Sequence, residues 1–201
     1  CTLLQAYPKK TLNLVGFDPT GEKFKKFYPD HITLIADFFT SKSFKSIFGN
    51  KKAKVITSIA MFYDLEDPLD FVHNISETLE KDGIWILEMS YFPMLLSNLT
   101  YDQICHEHVT YYTLSVFKKI VEKNGLKIID FSFNVINGGS IEIICAKKNS
   151  KAKVQKNKIY NQLLIEKKIS AKDYKKFNLR VDNIKKTTNL LLENIFKAKQ
   201  K

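Results

Sequence analysis

The feature that most constrains the fold is a regular alternation of short apolar runs with segments of helical spacing. The apolar runs are residues 12–17, 31–36, 54–60 and 84–89, and the helical segments between them are residues 20–27, 43–48 and 68–79. Strands that alternate with helices usually pair in parallel, so the pattern predicts an α/β protein. Residues 54–60 are apolar enough to predict a strand buried on both faces.

Local signals predict where several elements end. Pro68 is suited to the first position of a helix, where its missing N–H is not needed. Gly49 predicts the end of one helix, and Gly125 predicts the end of another over residues 115–124. The Lys-Asp-Gly sequence at residues 81–83 predicts a turn before the next strand.

The pattern changes in the last part of the chain. Two strands, residues 126–133 and 140–146, are predicted to pair antiparallel through residues 135–139. Strand patterns stop after Lys147, and helical spacing then extends to residue 199. These helices are predicted to form a linker or a dimer contact outside the sheet. The predicted domains are therefore residues 1–148 and residues 149–201; oligomeric state is left open.

The charge is divided unevenly along the chain. Residues 1–146 hold 15 Lys and 17 Asp and Glu, whereas residues 147–201 hold 17 Lys and Arg and 4 Asp and Glu. A basic segment of this kind can attract nucleic acid or phosphate groups. No aromatic stacking residues or nucleic-acid motif accompany these lysines. A solvated helical face is therefore the favoured interpretation, and nucleic acid is not the expected partner.

The cysteines and the apolar runs bear on the compartment. Cys1, Cys105 and Cys145 are odd in number and lack CxxC spacing, which favours a reducing environment, and we expect a cytoplasmic protein. No uncharged apolar run of about 18 residues occurs, so no membrane-spanning helix is predicted. The chain begins at Cys1 within an apolar, helix-like stretch, which predicts a fragment of a longer protein.

The long connection at residues 90–113 holds the densest group of titratable side chains, and connections of this length are usually functional. Its centre reads Tyr101-Asp102-Gln103-Ile104-Cys105-His106-Glu107-His108-Val109-Thr110-Tyr111-Tyr112. Packing explains such a group poorly, because buried carboxylates and imidazoles need partners. Glu107 beside His108 is a candidate proton-transfer pair, in which the carboxylate holds one imidazole tautomer. A solvated loop and an adventitious metal site are the alternatives.

Two aspartates end successive predicted strands. Asp18 follows residues 12–17 and Asp37 follows residues 31–36. A carboxylate at the carboxyl edge of a parallel sheet can accept hydrogen bonds from ribose hydroxyl groups, which is the role predicted for Asp18. Asp37 fits recognition of an adenine amino group. The alternative for both is a routine strand terminator. A glycine-rich cofactor loop should precede Asp18, and the sequence contains none there.

Five motifs occur in an order shared with one enzyme family. They are Asp18-Pro19, Thr57-Ser58-Ile59-Ala60-Met61-Phe62-Tyr63-Asp64-Leu65-Glu66-Asp67-Pro68, Asp82-Gly83-Ile84-Trp85, Cys105-His106-Glu107-His108-Val109-Thr110-Tyr111-Tyr112 and Asn137-Gly138-Gly139-Ser140. On these motifs, residues 1–146 resemble the S-adenosylmethionine-dependent C-methyltransferases that act on nucleotide-linked 4-keto-deoxysugars. The resemblance implies a Rossmann-like, class I methyltransferase sheet that is truncated at its first strand and followed by a helical segment.

The resemblance also implies a mechanism and a set of site residues. A base removes a proton from the carbon beside the ketone, and the resulting enolate attacks the methyl group of S-adenosylmethionine. His108 is the implied base, and Glu107 is the residue implied to orient the site or the sugar. The implied cofactor ligands are Asp18, Asp37, Ala60 and Met61, and the implied substrate contacts are Cys105, Asn137, Gly138 and Ser140. No metal ligand is implied within the chain.

The chain departs from that family in several places. The family's cofactor loop reads Asn-Asp-Gly-x-Leu-Leu, and only residues 1–4 match its end. The resemblance therefore places the first strand, a zinc-binding N-terminal domain and a C-terminal domain outside this chain. Cys105 stands where many relatives have a tyrosine, Asp64 where some have a histidine, and Glu142 where an arginine often follows the Gly-Gly-Ser sequence. The change at Glu142 exchanges a phosphate-binding cation for an anion, which predicts a different sugar or a lost activity.

Two other functions remain open at this point. One is a methyltransferase that acts on oxygen or nitrogen of another small molecule, since it needs a base but no enolate stabilisation. The other is a non-enzymatic binding module whose basic tail contacts nucleic acid, which would show steeply salt-dependent binding through residues 147–201.

Overall fold

The structure is a computed structural model of the 201-residue chain, and it describes residues 2–8 and 13–199. The chain forms two compact units, Cys1–Lys51 and Lys52–Lys201. The predicted boundary near residue 148 stays a prediction. The helices after it pack within the second unit.

The first unit is a small parallel α/β arrangement. Its elements are α1 (Thr2–Gln5), β1 (Leu14–Phe17), α2 (Gly21–Phe24), a 3-10 turn (Lys25–Phe27), β2 (Ile32–Ile35) and α3 (Ser41–Phe48). β1 and β2 pair in parallel, with Leu14 opposite Ile32, as the alternating pattern predicts. The predicted strand start at Leu12 lies outside the described residues. α3 ends at Gly49, whose φ of 64° confirms the predicted stop.

The second unit is built on a four-stranded mixed sheet. Its elements are β3 (Ala53–Ile59), a 3-10 turn (Phe62–Asp64), α4 (Pro68–Thr78), β4 (Leu79–Ser90), α5 (Phe92–Asn98), a 3-10 turn (Tyr101–Gln103), α6 (Leu114–Lys123), β5 (Leu126–Asn134), a 3-10 turn (Ile136–Gly138), β6 (Ser140–Lys147), α7 (Lys156–Glu166) and α8 (Ala171–Lys199). The strand order is β3-β4-β6-β5. β3 and β4 run parallel, and β6 is antiparallel to both of its neighbours, as predicted for the last two strands.

Several predicted helix ends are confirmed. Pro68 is the first residue of α4, and the Asp67 side chain before it accepts a hydrogen bond from the Asp70 N–H at 2.9 Å. This side-chain cap satisfies a backbone donor that the first helical turn leaves free. Gly125, with φ of 72°, follows α6 in the left-handed conformation expected after a helix end.

The prediction that β3 is buried on both faces is wrong. β3 lies at the edge of its sheet, and Val55 and Ile59 are each 44% exposed. Both residues lie opposite β4 residues of one sheet face, Val55 opposite Ile84 and Ile59 opposite Glu88. Apolar composition alone does not distinguish an edge strand from a central one, because position in the sheet is set by pairing partners elsewhere in the chain.

The prediction of a turn at residues 81–83 is also wrong. β4 starts at Leu79, directly after α4, and runs through these residues to Ser90. The pairing with β3 jumps from Leu79 opposite Ala53 to Ile84 opposite Val55, so the extra residues form a bulge within the strand. Gly83 is required there, because a Cβ atom would lie 2.9 Å from the Ala53 carbonyl oxygen.

The core of the second unit is an aromatic cluster between the sheet and its helices. Phe62 is fully buried, and its ring centroid lies 6.1 Å from that of Trp85, 5.3 Å from that of Phe117 and 5.1 Å from that of Tyr112. The Trp85 side chain is fully buried and donates from Nε1 to Ser58 Oγ at 3.1 Å. This cluster places the residues after β3 against the end of the long connection at Tyr112.

The two C-terminal helices differ in their packing. α7 packs against α6 and β5, whereas α8 contacts α5 and buries mainly Phe177. Most of the other apolar side chains of α8, such as Leu191 and Phe196, are exposed, whereas Val181 and Ile184 are half-buried. In the described parts of the chain, every helix is too short or too polar to cross a bilayer.

We predict that Phe62→Ala destabilises the second unit by about 3–5 kcal/mol, because it leaves a cavity among rings that cannot collapse into it. Denaturant unfolding followed by tryptophan fluorescence measures the change at Trp85. Phe196→Ala is the matched control, since Phe196 is 64% exposed; it should change the free energy of unfolding by less than about 0.5 kcal/mol. Equal effects of the two substitutions would contradict the assigned core.

Candidate active site

Asp18 and Asp37 lie at the same end of the two parallel strands in the first unit. The backbone N–H groups of Asp18 and Asp37 both donate to the Ile35 carbonyl, at 3.0 and 2.9 Å. Asp18 follows β1 and Asp37 follows β2, so both lie at the carboxyl ends of parallel strands, as predicted. Ligands of open parallel sheets bind at this edge.

The Asp18 carboxylate is held by its own turn. Oδ1 accepts hydrogen bonds from the Thr20 N–H at 2.8 Å and the Thr20 hydroxyl at 2.7 Å, and Oδ2 accepts one from the Tyr28 hydroxyl at 3.3 Å. The bond from the Thr20 hydroxyl is the main cause that lowers the pKa of Asp18, so the group is anionic. Each carboxylate oxygen has two acceptor sites, which leaves Oδ2 able to accept a further donor.

Asp37 is more open than Asp18. Its side chain is exposed, and Oδ1 accepts from the Phe38 N–H at 2.8 Å. Oδ2 is thus the atom suited to an external donor such as an exocyclic amino group. The two carboxylates fit the polar edge of a nucleoside, and their roles as cofactor ligands remain predictions.

In the second unit, the residues after β3 adopt a constrained conformation. Ala60 has a φ of 52°, which lies in the left-handed region that side chains other than glycine rarely adopt. Its N–H donates to the Glu88 carbonyl at 3.0 Å, which fixes the exit from the sheet. Met61 is half-buried, and Tyr63 and Asp64 follow in the 3-10 turn. Positive φ outside glycine costs about 1–2 kcal/mol and often marks functional backbone.

His108 is held by a backbone carbonyl. Its Nδ1 lies 2.7 Å from the Gln103 carbonyl oxygen. A carbonyl oxygen can only accept, so Nδ1 carries the proton, and in the neutral ring Nε2 is left with a free lone pair. The Tyr63 ring packs 4.4 Å from the imidazole, and the half-buried His108 side chain is fixed between these two partners.

Glu107 is predicted to hold one tautomer of the His108 imidazole, but it is not the group bonded to Nδ1. Its side chain is exposed, and the group that orients His108 is the Gln103 carbonyl. Glu107 still acts on the site through its charge. The pKa of Asp64 is raised by burial and by Glu107, and the nearby His108 lowers it. Asp64, Glu107 and His108 therefore form one electrostatic group.

Further acidic groups surround Tyr63. Its pKa is raised mainly by burial and further by Asp64, Glu88 and Cys105, so the phenol stays protonated. Cys105 is half-buried and belongs to this group. Its predicted role as a substrate contact remains a prediction. Sequence reasoning did not select Glu88 as a site residue, although an acidic residue near the end of a buried strand was the available signal.

The turn at residues 136–140 lies against the long connection. Asn137 has a φ of 52° and is exposed. Gly138 and Gly139 have φ of 76° and 138°, and a Cβ atom on Gly138 would lie 2.0 Å from Thr100 Cγ2. The backbone of this turn therefore lies close to Thr100 of the long connection. The Asn98 side-chain amide confirms the contact, donating to the Gly138 carbonyl at 2.7 Å.

Ser140 and Glu142 complete this region. Ser140 is fully buried, and its hydroxyl donates to the Ile136 carbonyl at 3.0 Å, which closes the turn. Glu142 lies opposite Glu88 across β6 and β4, and accepts a hydrogen bond from the Ser132 hydroxyl at 3.3 Å. Contacts of Asn137, Gly138 and Ser140 with a substrate remain predictions.

The second unit thus gathers most of the candidate residues around one segment, residues 92–113. The Thr110 N–H donates to the Tyr63 carbonyl at 3.1 Å, which joins this segment to the residues after β3. Thr100 joins it to the turn at Gly138. Within residues 2–8 and 13–199, no three His, Cys, Asp or Glu side chains are grouped so as to hold a metal ion.

Fold and comparison define the class of protein. Residues 1–130 match the family described as Methyltransferase domain, and the chain belongs to that family. The α/β architecture is that of the class I methyltransferases, which confirms the predicted fold class. The methyltransferase assignment made from the sequence motifs is confirmed at the level of the family.

Individual relatives extend this comparison. The chain is 30% identical over 94 residues to C-methyltransferase NovU of Streptomyces niveus; the match covers 47% of this chain, which spans only 22% of that relative's length. A putative methyltransferase from Bacillus halodurans superposes with a TM-score of 0.52 at 12% identity, over 69% of this chain and 84% of the other. LepI in complex with SAM gives 0.57 at 13% identity, over 73% and 39%. The two structures support the fold alone.

The electrostatic group at His108 gives a prediction for Asp64. Glu107→Gln should lower the pKa of Asp64, because a like charge is removed, and His108→Ala should raise it, because the interaction with His108 that lowers it is lost. Carboxyl carbon NMR titration of Asp64 measures both shifts. Asp130, whose pKa is lowered by Lys158, is the internal control and should not move. An Asp64 pKa that is unchanged in both variants would mean that the three groups do not interact.

Proposed function

We propose that the protein is an S-adenosylmethionine-dependent C-methyltransferase that methylates the carbon beside a ketone of a nucleotide-linked deoxysugar. The observation that supports it most is the state of His108. With Nδ1–H bonded to the Gln103 carbonyl, Nε2 is the free basic atom of the neutral ring. Such a nitrogen is suited to take a proton from a carbon acid, and a placed base contributes about 10²–10⁴-fold in rate.

The surroundings of His108 suit the charge that this step creates. When Nε2 accepts the proton, the ring becomes a cation, and the Gln103 carbonyl still accepts from Nδ1. Asp64 is the carboxylate that interacts with His108, and this interaction lowers the pKa of Asp64. The electron pair of the broken C–H bond passes into the carbonyl of the substrate. Cys105, beside Tyr63, is the residue proposed to lie near the enolate oxygen.

The methyl donor is proposed from the family and from the carboxylates of the first unit. S-adenosylmethionine supplies an electrophilic methyl group on a sulfonium sulfur. Asp18 would hold the ribose hydroxyls through Oδ2, and Asp37 would accept from the adenine amino group. Ala60 and Met61, which leave β3 in a constrained conformation, are proposed to contact the donor. The name of NovU, a C-methyltransferase, supports transfer to carbon in a related sequence.

We predict that His108→Ala in the full-length protein lowers the rate of methyl transfer by at least about 10²-fold, because the proton acceptor is lost. Binding of S-adenosylmethionine, measured by calorimetry, should stay unchanged, since none of its proposed ligands is altered. In deuterated water without methyl donor, the wild type should exchange the proton beside the substrate ketone, and His108→Ala should not.

His73→Ala is the matched control, because His73 is an exposed histidine on α4 with no proposed role, and its rates should equal those of the wild type. Proton NMR of the product locates the new methyl group. A methyl group on oxygen or nitrogen would replace this proposal with an O- or N-methyltransferase. Unchanged turnover in His108→Ala would remove the proposed base.

A further inference from the structure

We propose that Glu166, on α7, is a positioning residue for this reaction: its carboxylate fixes both ends of the segment that carries His108. The proposal rests on the proposed function of His108 and extends it to a helix outside the sheet. Sequence reasoning assigned α7 only to a linker or a dimer contact. The buried carboxylate on it is the observation that changes this interpretation.

The segment in question is residues 92–113. It leaves the sheet at Tyr91, directly after β4, and returns at Thr113, directly before α6. Its two ends are paired: Tyr91 and Tyr112 form a parallel bridge, and the Phe92 N–H donates to the Tyr112 carbonyl at 3.0 Å. A group that holds both ends therefore helps to fix the position of His108 within this segment.

The Glu166 carboxylate contacts both ends at once. The Tyr91 hydroxyl donates to Oε1 at 2.5 Å, which is the contact at the start of the segment. The N–H of Leu114 donates to Oε1 at 2.6 Å and that of Ser115 to Oε2 at 2.8 Å, which are the contacts at its end. Glu166 is only 6% exposed, so water competes little for these bonds.

The contact at the end of the segment is a helix cap supplied by another helix. The first N–H groups of α6 have no partners within the helix. The Thr113 hydroxyl accepts from the Val116 N–H at 3.3 Å, and Glu166 accepts from the two donors before it. A carboxylate at this position also interacts favourably with the positive end of the helix dipole. Glu166 thus fixes where α6 begins and the segment ends.

The contact at the start is equally specific. Tyr91 is 1% exposed, and its pKa is raised by burial and by the hydrogen bond to Glu166, so its hydroxyl is kept as a donor. Gln162, one turn earlier on α7, donates to the same hydroxyl oxygen at 2.8 Å. Tyr91, Glu166 and Gln162 therefore satisfy one another in a buried site, and removal of the carboxylate leaves buried donors without an acceptor.

The decisive variant is Glu166→Gln in the full-length protein. Glutamine keeps the volume but presents an NH₂ group to donors that need an acceptor. We expect kcat to fall by about tenfold to a hundredfold, because a small misplacement of a base costs this much. The KM for S-adenosylmethionine should stay unchanged, since its proposed ligands lie outside residues 92–113. Hydrogen–deuterium exchange should accelerate in peptides from residues 92–117 and not in β6.

Two further variants separate positioning from general stability. Glu122→Gln makes the same chemical change at an exposed carboxylate on α6 that pairs with Lys118, and should leave kcat and exchange unchanged. Tyr91→Phe removes one of the three bonds to Glu166, so its effect on kcat should be smaller. In combination with Glu166→Gln it should add little, because both changes break the same contact.

The outcomes distinguish this proposal from the one on which it rests. If the wild type transfers no methyl group to carbon, the proposed function fails and Glu166 loses its role with it. If His108→Ala abolishes transfer while Glu166→Gln and Tyr91→Phe leave both kcat and exchange unchanged, only the role of Glu166 is overturned. Uniformly faster exchange across β4 and β6 in Glu166→Gln, or a Glu122→Gln variant with the same loss of kcat, would also overturn it.

Discussion

The chemistry proposed for the second unit depends on one hydrogen bond, between Nδ1 of His108 and the Gln103 carbonyl. It decides which ring nitrogen carries the proton and which is free to act as a base. A backbone carbonyl holds the ring without adding a competing negative charge at Nδ1. The ring is thus oriented by a backbone group, and its interaction with the Asp64 carboxylate lowers the pKa of Asp64.

That bond is useful only if residues 92–113 keep one conformation, and the structure holds them from three sides. The Tyr63 carbonyl binds the Thr110 N–H, Gly138 packs against Thr100, and Glu166 holds both ends. Leu99 lies within this segment with a φ of 60°, while Ala60 and Asn137 lie on the elements beside it with φ of 52°. Among the described residues these are the non-glycine positions with positive φ. Their strain is tolerated where surrounding contacts determine the backbone.

Much of this could be predicted from the sequence, because the signals are local. Pro68 and Gly125 have one favoured place at a helix end, and both predicted helix ends are confirmed. The edge position of β3, the bulge before Ile84 and the contact of Glu166 with Leu114 could not be predicted in this way. Each depends on which distant residues become neighbours. Glu166 and Leu114, for example, are 52 positions apart in the sequence. Local spacing contains no information about such pairs.

The sheet register shows which residue faces Glu142, the glutamate that stands in place of the arginine of related sequences. Glu142 lies opposite Glu88, so two carboxylates face the same side of neighbouring strands with Cβ atoms about 4.5–5.5 Å apart. Like charges at this distance repel, and the Ser132 hydroxyl relieves only Glu142. A phosphate group placed beside this pair would meet further repulsion, whereas a hydroxyl or ammonium group would find acceptors. Of the two carboxylates, only Glu142 is partly exposed beside the Asn137 turn, because Glu88 is buried.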